Sequence, residues 1–191
     1  MSKAVLISIR PKWCELIASG KKTVEVRKTA PKIEPPFKCY IYETRGFERV
    51  GNDNLNCIIG GGGRGMVIGE FLCAEIDRYA RYGWLKEPAR YMKSSPGGYP
   101  ATEIHYSSLQ LSPDALEQYG KGEQLFGWHI ADLLIYDKPK ELSDFRMVNM
   151  ECLRHGEDGV PVCEKGIFCQ ICKVRRPPQS WCYVEEGENA D

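Results

Sequence analysis

The chain has 191 residues, with 26 basic and 26 acidic side chains. A chain of this length can bury roughly 70% of its unfolded surface, and its even charge balance argues against a protein built to coat long duplex DNA. No apolar run approaches the roughly 20 residues of a membrane span, and the N-terminal apolar stretch is broken by Ser8 and ended by Arg10, unlike a secretory signal. The expectation is one cytoplasmic domain over 1–191.

In chain order, AVLISIR (4–10) has the residue types of a strand. Pro11 opens a helix at a position where its missing N–H costs nothing. Trp13, Leu16 and Ile17 follow at helical spacing, and Gly20 is the natural C-cap. The stretch GKKTVEVRK (20–28) then reads as a strand. At period two, Val24 and Val26 enter a core while Thr23, Glu25 and Arg27 share the opposite face. That face is either a solvated ion pair or the floor of a binding cleft. FKCYIYET (37–44) alternates as a strand, and the polar, glycine-rich segment after it suits a hairpin connection. Its GGGGRG run lacks the Lys-Ser/Thr pair of a phosphate loop and reads as a flexible tip.

Residues 65–80 predict a long strand bent at Gly69. LKEPARYMKSS reads as a short helix and SSPGGYP as a turn. LSPDALEQYG is a helix with Ser112 as N-cap and Pro113 at its first position. A strand over 125–137 carries His129, read as a structural histidine, and ELSDF is a turn or short helix. A cysteine-rich insertion (150–174) precedes a last strand over 180–186. The sum is an α+β fold, a mixed β-barrel of five to six strands with short flanking helices. The strands lack regular helical crossovers, which excludes a doubly wound sheet.

Charge is unevenly placed: residues 1–40 hold nine basic and three acidic side chains, which points to a local anionic ligand near the second strand. Nine cysteines, without a signal peptide, do not form a disulfide framework. Four of them, Cys152, Cys163, Cys169 and Cys172, end in a C-x-x-C knuckle that presents two thiolates to one metal ion. The other two close a tetrahedral all-thiolate site, which predicts one structural zinc. The competing reading is a loop with free thiols. Cys14 reads as a buried thiol.

Gly20, Lys22, Glu25 and Arg27 spell G-x-K-x-x-E-x-R. This resembles the signature of the ASCH domain family, a branch of the PUA-like superfamily. LISIRPKWCELIASG is similar to the strand–helix opening of that family, and FGWHIADLLIYDKPKELSDF and RPPQSWCYVEE resemble its small bacterial and phage-encoded members. The resemblance covers most of 4–80 and 125–186. It implies a PUA-like β-barrel with a cleft beside the first helix, lined by the signature residues and taking RNA or nucleotide ligands.

One small relative deacetylates acetylated cytidine with a threonine nucleophile, a lysine and a glutamate. Its lysine aligns with Lys22, but its threonine falls at Glu25, and a carboxylate cannot make that attack. Other members are ribonucleases, for which Lys22 and Glu25 would be the catalytic pair and Arg27 the phosphate clamp. As chemistry, Arg27 offers a planar fork matched to phosphate or a base edge, and Lys22 a point charge. Glu25 accepts from an exocyclic amine or holds the two cations in place. Trp13 either stacks a base or packs in the core, with Lys12 beside it. Gln179 and Ser180 either read a base edge or lie in a rigid approach to the last strand. Three functions follow: an RNA- or nucleotide-binding protein, an enzyme using the same cleft (a ribonuclease or modified-nucleoside hydrolase), or a zinc-carrying adaptor that docks a protein.

Overall fold

The computed structural model describes residues 3–50, 57–60, 62–84, 87–148 and 173–186. Cys152, Cys163, Cys169 and Cys172, the expected zinc ligands, lie outside the described residues. In chain order the elements are β1 (Ala4–Ile9), α1 (Pro11–Ala18), β2 (Val24–Arg27), β3 (Phe37–Glu43), β4 (Phe47–Val50) and β5 (Cys57–Gly60). They continue with β6 (Val67–Trp84), β7 (Glu87–Ser94), β8 (Pro100–Thr102), α2 (Tyr106–Leu109) and α3 (Pro113–Gly120). β9 (Leu125–Lys140), a 3-10 turn at Leu142–Asp144, β10 (Phe145–Met147) and β11 (Trp181–Glu186) complete them. Among the described residues no helix is long and apolar enough to cross a membrane.

The chain forms two compact units, each assembled from separate segments. One comprises Met1–Pro11, Lys38–Glu70 and Leu134–Asp191; the other comprises Lys12–Phe37 and Phe71–Leu133. The long strands β6 and β9 each contribute residues to both.

In the first unit β1 runs parallel to β3 and antiparallel to β11, which pairs antiparallel with β10. All six residues of β1 are buried. A strand with neighbours on both edges and both faces covered reads as a continuous apolar run, as AVLISI does. Its one hydroxyl is satisfied: Ser8 Oγ donates to the Pro178 carbonyl at 2.7 Å. Leu6, Tyr40, Tyr42, Val67, Phe145 and Val184 form the core of this unit.

In the second unit β2 pairs antiparallel with β9, and β6 with β7, which pairs in turn with β8. Its core gathers Val24, Val26, Tyr79, Tyr91, Leu109 and Leu116 among others. Burying each of these side chains contributes roughly 1.5–3 kcal/mol. Gly20, at φ 71°, ends the first helix region as its sequence position required, and Ser112 Oγ accepts from Ala115 N at 3.2 Å to cap α3.

Three expectations change. The segment read as a short helix, LKEPARYMKSS, contains β7, because its Tyr91 is only 2% exposed and the segment pairs in register with β6. Long-range pairing overrides a weak local helix preference. The described chain also holds more strands than the five to six expected, since β4–β5, β7–β8 and β10 are short additions. Lastly, the end of the glycine-rich run is held in place. Gly65 N donates to the Glu43 carbonyl and Arg64 N to the Glu43 carboxylate, each at 3.1 Å.

Candidate functional site

β2 carries the signature residues, and all four of its positions are buried. The valine face is the core of the second unit, as alternation predicts. The opposite face is also covered. Glu25 lies directly across from Trp128, and Arg27 across from Phe126. Trp128 is fully buried and meets Phe37 edge-on, with ring centroids 5.9 Å apart. The Glu25–Arg27 pair is therefore not a solvated surface ion pair.

Three charged groups meet on this face. Glu25 Oε2 lies 3.4 Å from Lys22 Nζ, and Glu25 Oε1 lies 3.2 Å from Arg27 Nη2. Lys22 is only 2% exposed. Its ammonium donates to the Leu109 carbonyl at 2.6 Å, across 87 residues of sequence. The backbone around it is tied at both ends: Lys22 N donates to Leu16 O of α1, and Thr23 N to Ser108 O of α2. Helix α1 thus fixes the start of β2, and α2 supplies the carbonyl.

Trp13, half-buried on α1, completes the group. The ammonium groups of Lys12 and Lys22 each lie 5.0 Å from the centre of its ring. Cation–ring attraction of this kind is worth about 0.5–2 kcal/mol, more as the cation is desolvated. Burial holds the Lys22 amine below its ordinary pKa; Glu25 opposes that shift and the Arg27 charge adds to it. Buried ions cost several kcal/mol each to desolvate, so this cluster is an expensive arrangement for structure alone.

The structure brings together five of the seven expected ligand-binding residues: Lys12, Trp13, Lys22, Glu25 and Arg27. Gln179 and Ser180 belong to the other unit. Gln179 is exposed, and the Ser180 carbonyl accepts from Ser8 N at 2.9 Å, which fixes the approach to β11. Cys14 is buried, as read from its place on the helix.

A second cluster in the same unit was not read as a group from the sequence. Asp77 Oδ2 accepts from Lys93 Nζ at 2.7 Å, lies 2.8 Å from His129 Nε2, and accepts from the Tyr79 hydroxyl at 3.3 Å. Burial raises the Asp77 pKa, but the bonds from His129 and Lys93, with their charges, outweigh it and hold the carboxyl below its ordinary value. Glu75, Asp77 and His129 have the ligand types of a cation site, with donor atoms within 4.8 Å of one another. The oxygen that a cation would need already carries the Lys93 ammonium, so the arrangement is an ion-pair network. Its sequence signal was Asp77, two residues before Tyr79 and so on the same strand face.

The family model for the ASCH domain matches residues 7–153. No curated protein matches the chain. Among solved structures, the ASCH protein of Zymomonas mobilis is 18% identical, with 95% of this chain and 87% of that one covered and a TM-score of 0.47. Two single-residue variants of the same protein are likewise 18% identical. One gives a TM-score of 0.49 over 96% of this chain and 91% of its own. The other gives 0.49 over 95% and 88%. The family match spans more than half of the sequence and includes β2 with its G-x-K-x-x-E-x-R signature, so the chain belongs to the ASCH domain family.

Proposed function

We propose that the chain binds RNA or a nucleotide through the Lys22–Glu25–Arg27 cluster. The reading is supported by one observation above all: a single carboxylate, Glu25, is shared between two nearly buried cations. Charges in a desolvated setting act on a ligand more strongly than charges in water. A phosphate or a base edge is the partner that an arginine fork matches in shape. Trp13 adds an aromatic ring beside the cations, and the family is generally proposed to bind RNA. Retention of a mixed RNA pool tests this. Arg27→Ala weakens retention strongly, and Arg27→Lys weakens it as well because the fork is lost. Unchanged retention in both variants, with unchanged melting, rules the reading out.

One observation favours catalysis in the same place. An amine held below its ordinary pKa by burial gives up a proton more readily than a surface lysine does. In that reading Lys22 and Glu25 exchange a proton with the substrate, which is an RNA phosphodiester or a modified nucleoside. Glu25→Gln then abolishes turnover while ligand retention survives. Absence of turnover in the parent protein, across RNAs and acylated nucleosides, leaves binding as the function.

A further inference from the structure

The first unit contains a cavity of about 680 Å³, within the usual range for small-ligand sites. None of the expected ligand-binding residues lines it. Three cations do: Arg45, just past the end of β3, and Lys173 and Arg175, in the segment that leads into β11. One carboxylate, Glu141, faces them. The apolar part of the wall includes Leu142 and Val174.

Two features show a built arrangement. The first is Arg45. Gly65 has φ +68°, and a Cβ there would collide with the Arg45 side chain. The glycine therefore lets that side chain lie directly on the loop, and Glu43 pins the loop through two backbone N–H groups. The second is the charge pattern. Two other cations of this unit have carboxylate partners: Lys38 has Glu70 at 2.8 Å and Arg64 has Glu43 at 3.7 Å. Among the described residues neither Arg45 nor Lys173 has an ion-pair partner. Tyr42, 4% exposed, also lines the cavity, with its hydroxyl in the opposed fields of Arg45 and Glu141.

We propose that this cavity is a second ligand site, separate from the Lys22–Glu25–Arg27 cluster, and that it takes a phosphate ester. The phosphate sits on Arg45, Lys173 and Arg175, and the organic part lies against Leu142 and Val174. An arginine fork and a neighbouring ammonium suit phosphate oxygens, since charge-assisted hydrogen bonds are the strong ones. Glu141 repels a second anion, which favours one phosphate with a neutral remainder over a polyphosphate.

The test is calorimetric titration of the full chain with three probes: adenosine 5′-monophosphate, adenosine, and a short single-stranded RNA with hydroxyl ends. Adenosine binds weakest. Tighter binding of the monophosphate identifies a free nucleotide as the source, and tighter binding of the oligonucleotide identifies internal phosphates of an RNA. In either case, in an Arg27→Ala background that removes binding through the Lys22 cluster, adding Arg45→Gln/Lys173→Gln weakens the remaining binding by about tenfold or more. Both glutamines keep much of the side-chain length at positions that are not buried, so the fold survives and its melting temperature reports that. Three results overturn the proposal: no preference for either phosphate probe over adenosine in the Arg27→Ala background, no measurable binding left in that background, or full residual affinity after Arg45→Gln/Lys173→Gln is added.

Discussion

Lys22 donates its ammonium proton to the carbonyl of Leu109 at 2.6 Å, and the same nitrogen lies 3.4 Å from the Glu25 carboxylate. One side chain therefore ties the signature strand to α2. Lys22→Ala removes both bonds and leaves Glu25 with less compensation, so it destabilises the fold by about 3 kcal/mol, read from urea unfolding. Lys22→Met keeps the volume of the stem and loses less. The pH dependence has a definite sign. The folded amine titrates below its ordinary value of 10.5, so the unfolded chain binds more protons between the two values. The penalty for holding a buried ammonium is complete below the folded pKa and is relieved as pH rises toward 10.5. The parent therefore gains stability relative to Lys22→Met on the alkaline side. A flat difference between the two proteins across that range contradicts this account.

The elements that were legible from sequence carry their signals locally. α1 announced itself through Pro11 and helical spacing, β2 and β3 through alternation, and α3 through Ser112 and Pro113. β7 did not, since nothing within Glu87–Ser94 shows that Tyr91 will be buried beside β6. The site divides in the same way. Lys22, Glu25 and Arg27 fall within six residues and form one signature. The Leu109 carbonyl is 87 residues from Lys22, and His129 is 52 from Asp77. Spacing does not reveal partners that only tertiary structure brings together. Burial of the Glu25–Arg27 face was illegible for the same reason, because Trp128 arrives from β9.

The Asp77 network predicts acid sensitivity. Its carboxyl is held below the ordinary value of 3.8 by the bonds from His129 and Lys93, against the opposing effect of burial. A depressed carboxylate contributes stability that is fully present above the unfolded pKa and is lost as pH falls through the folded value. Asp77→Asn removes that contribution and strips Lys93 of its counter-charge. The expected loss at neutral pH is about 2 kcal/mol. The difference between Asp77→Asn and the parent shrinks in acid below pH 3.8, as the parent's own carboxyl takes up a proton. Thermal melts of both proteins across this range check it; a constant difference would mean that charge is not the cause.

Gly127 tests the contact behind β2. It pairs with Val26, and a Cβ on it would overlap the ring and hydroxyl of Tyr79, which is 1% exposed. Tyr79 cannot move outward without losing the Asp77 bond and its place in the core. Overpacking of this kind costs about 1–3 kcal/mol. Gly127→Ala accordingly lowers the melting temperature, while the matching change at Gly122, which has nothing within 4 Å but a φ of +84°, costs only backbone strain. Equal, small losses at both positions would show that β9 relaxes around the added methyl.

The last prediction concerns Cys152, Cys163, Cys169 and Cys172, which we propose share one zinc ion. In a reducing compartment thiols stay free or bind metal, and a set of thiolates favours zinc over harder cations. With all four positions filled by protein, no site is left for a catalytic water, so the ion serves structure. Elemental analysis of protein purified without added metal should give one zinc per chain. Chelation should then make four more thiols reactive toward a thiol reagent, while RNA retention through the Lys22 cluster persists. Replacing Cys169 and Cys172 together with serine removes half of the ligands and should abolish zinc retention. Zinc content near zero in the parent, or full zinc content in that double variant, would mean that these four thiols do not hold the metal.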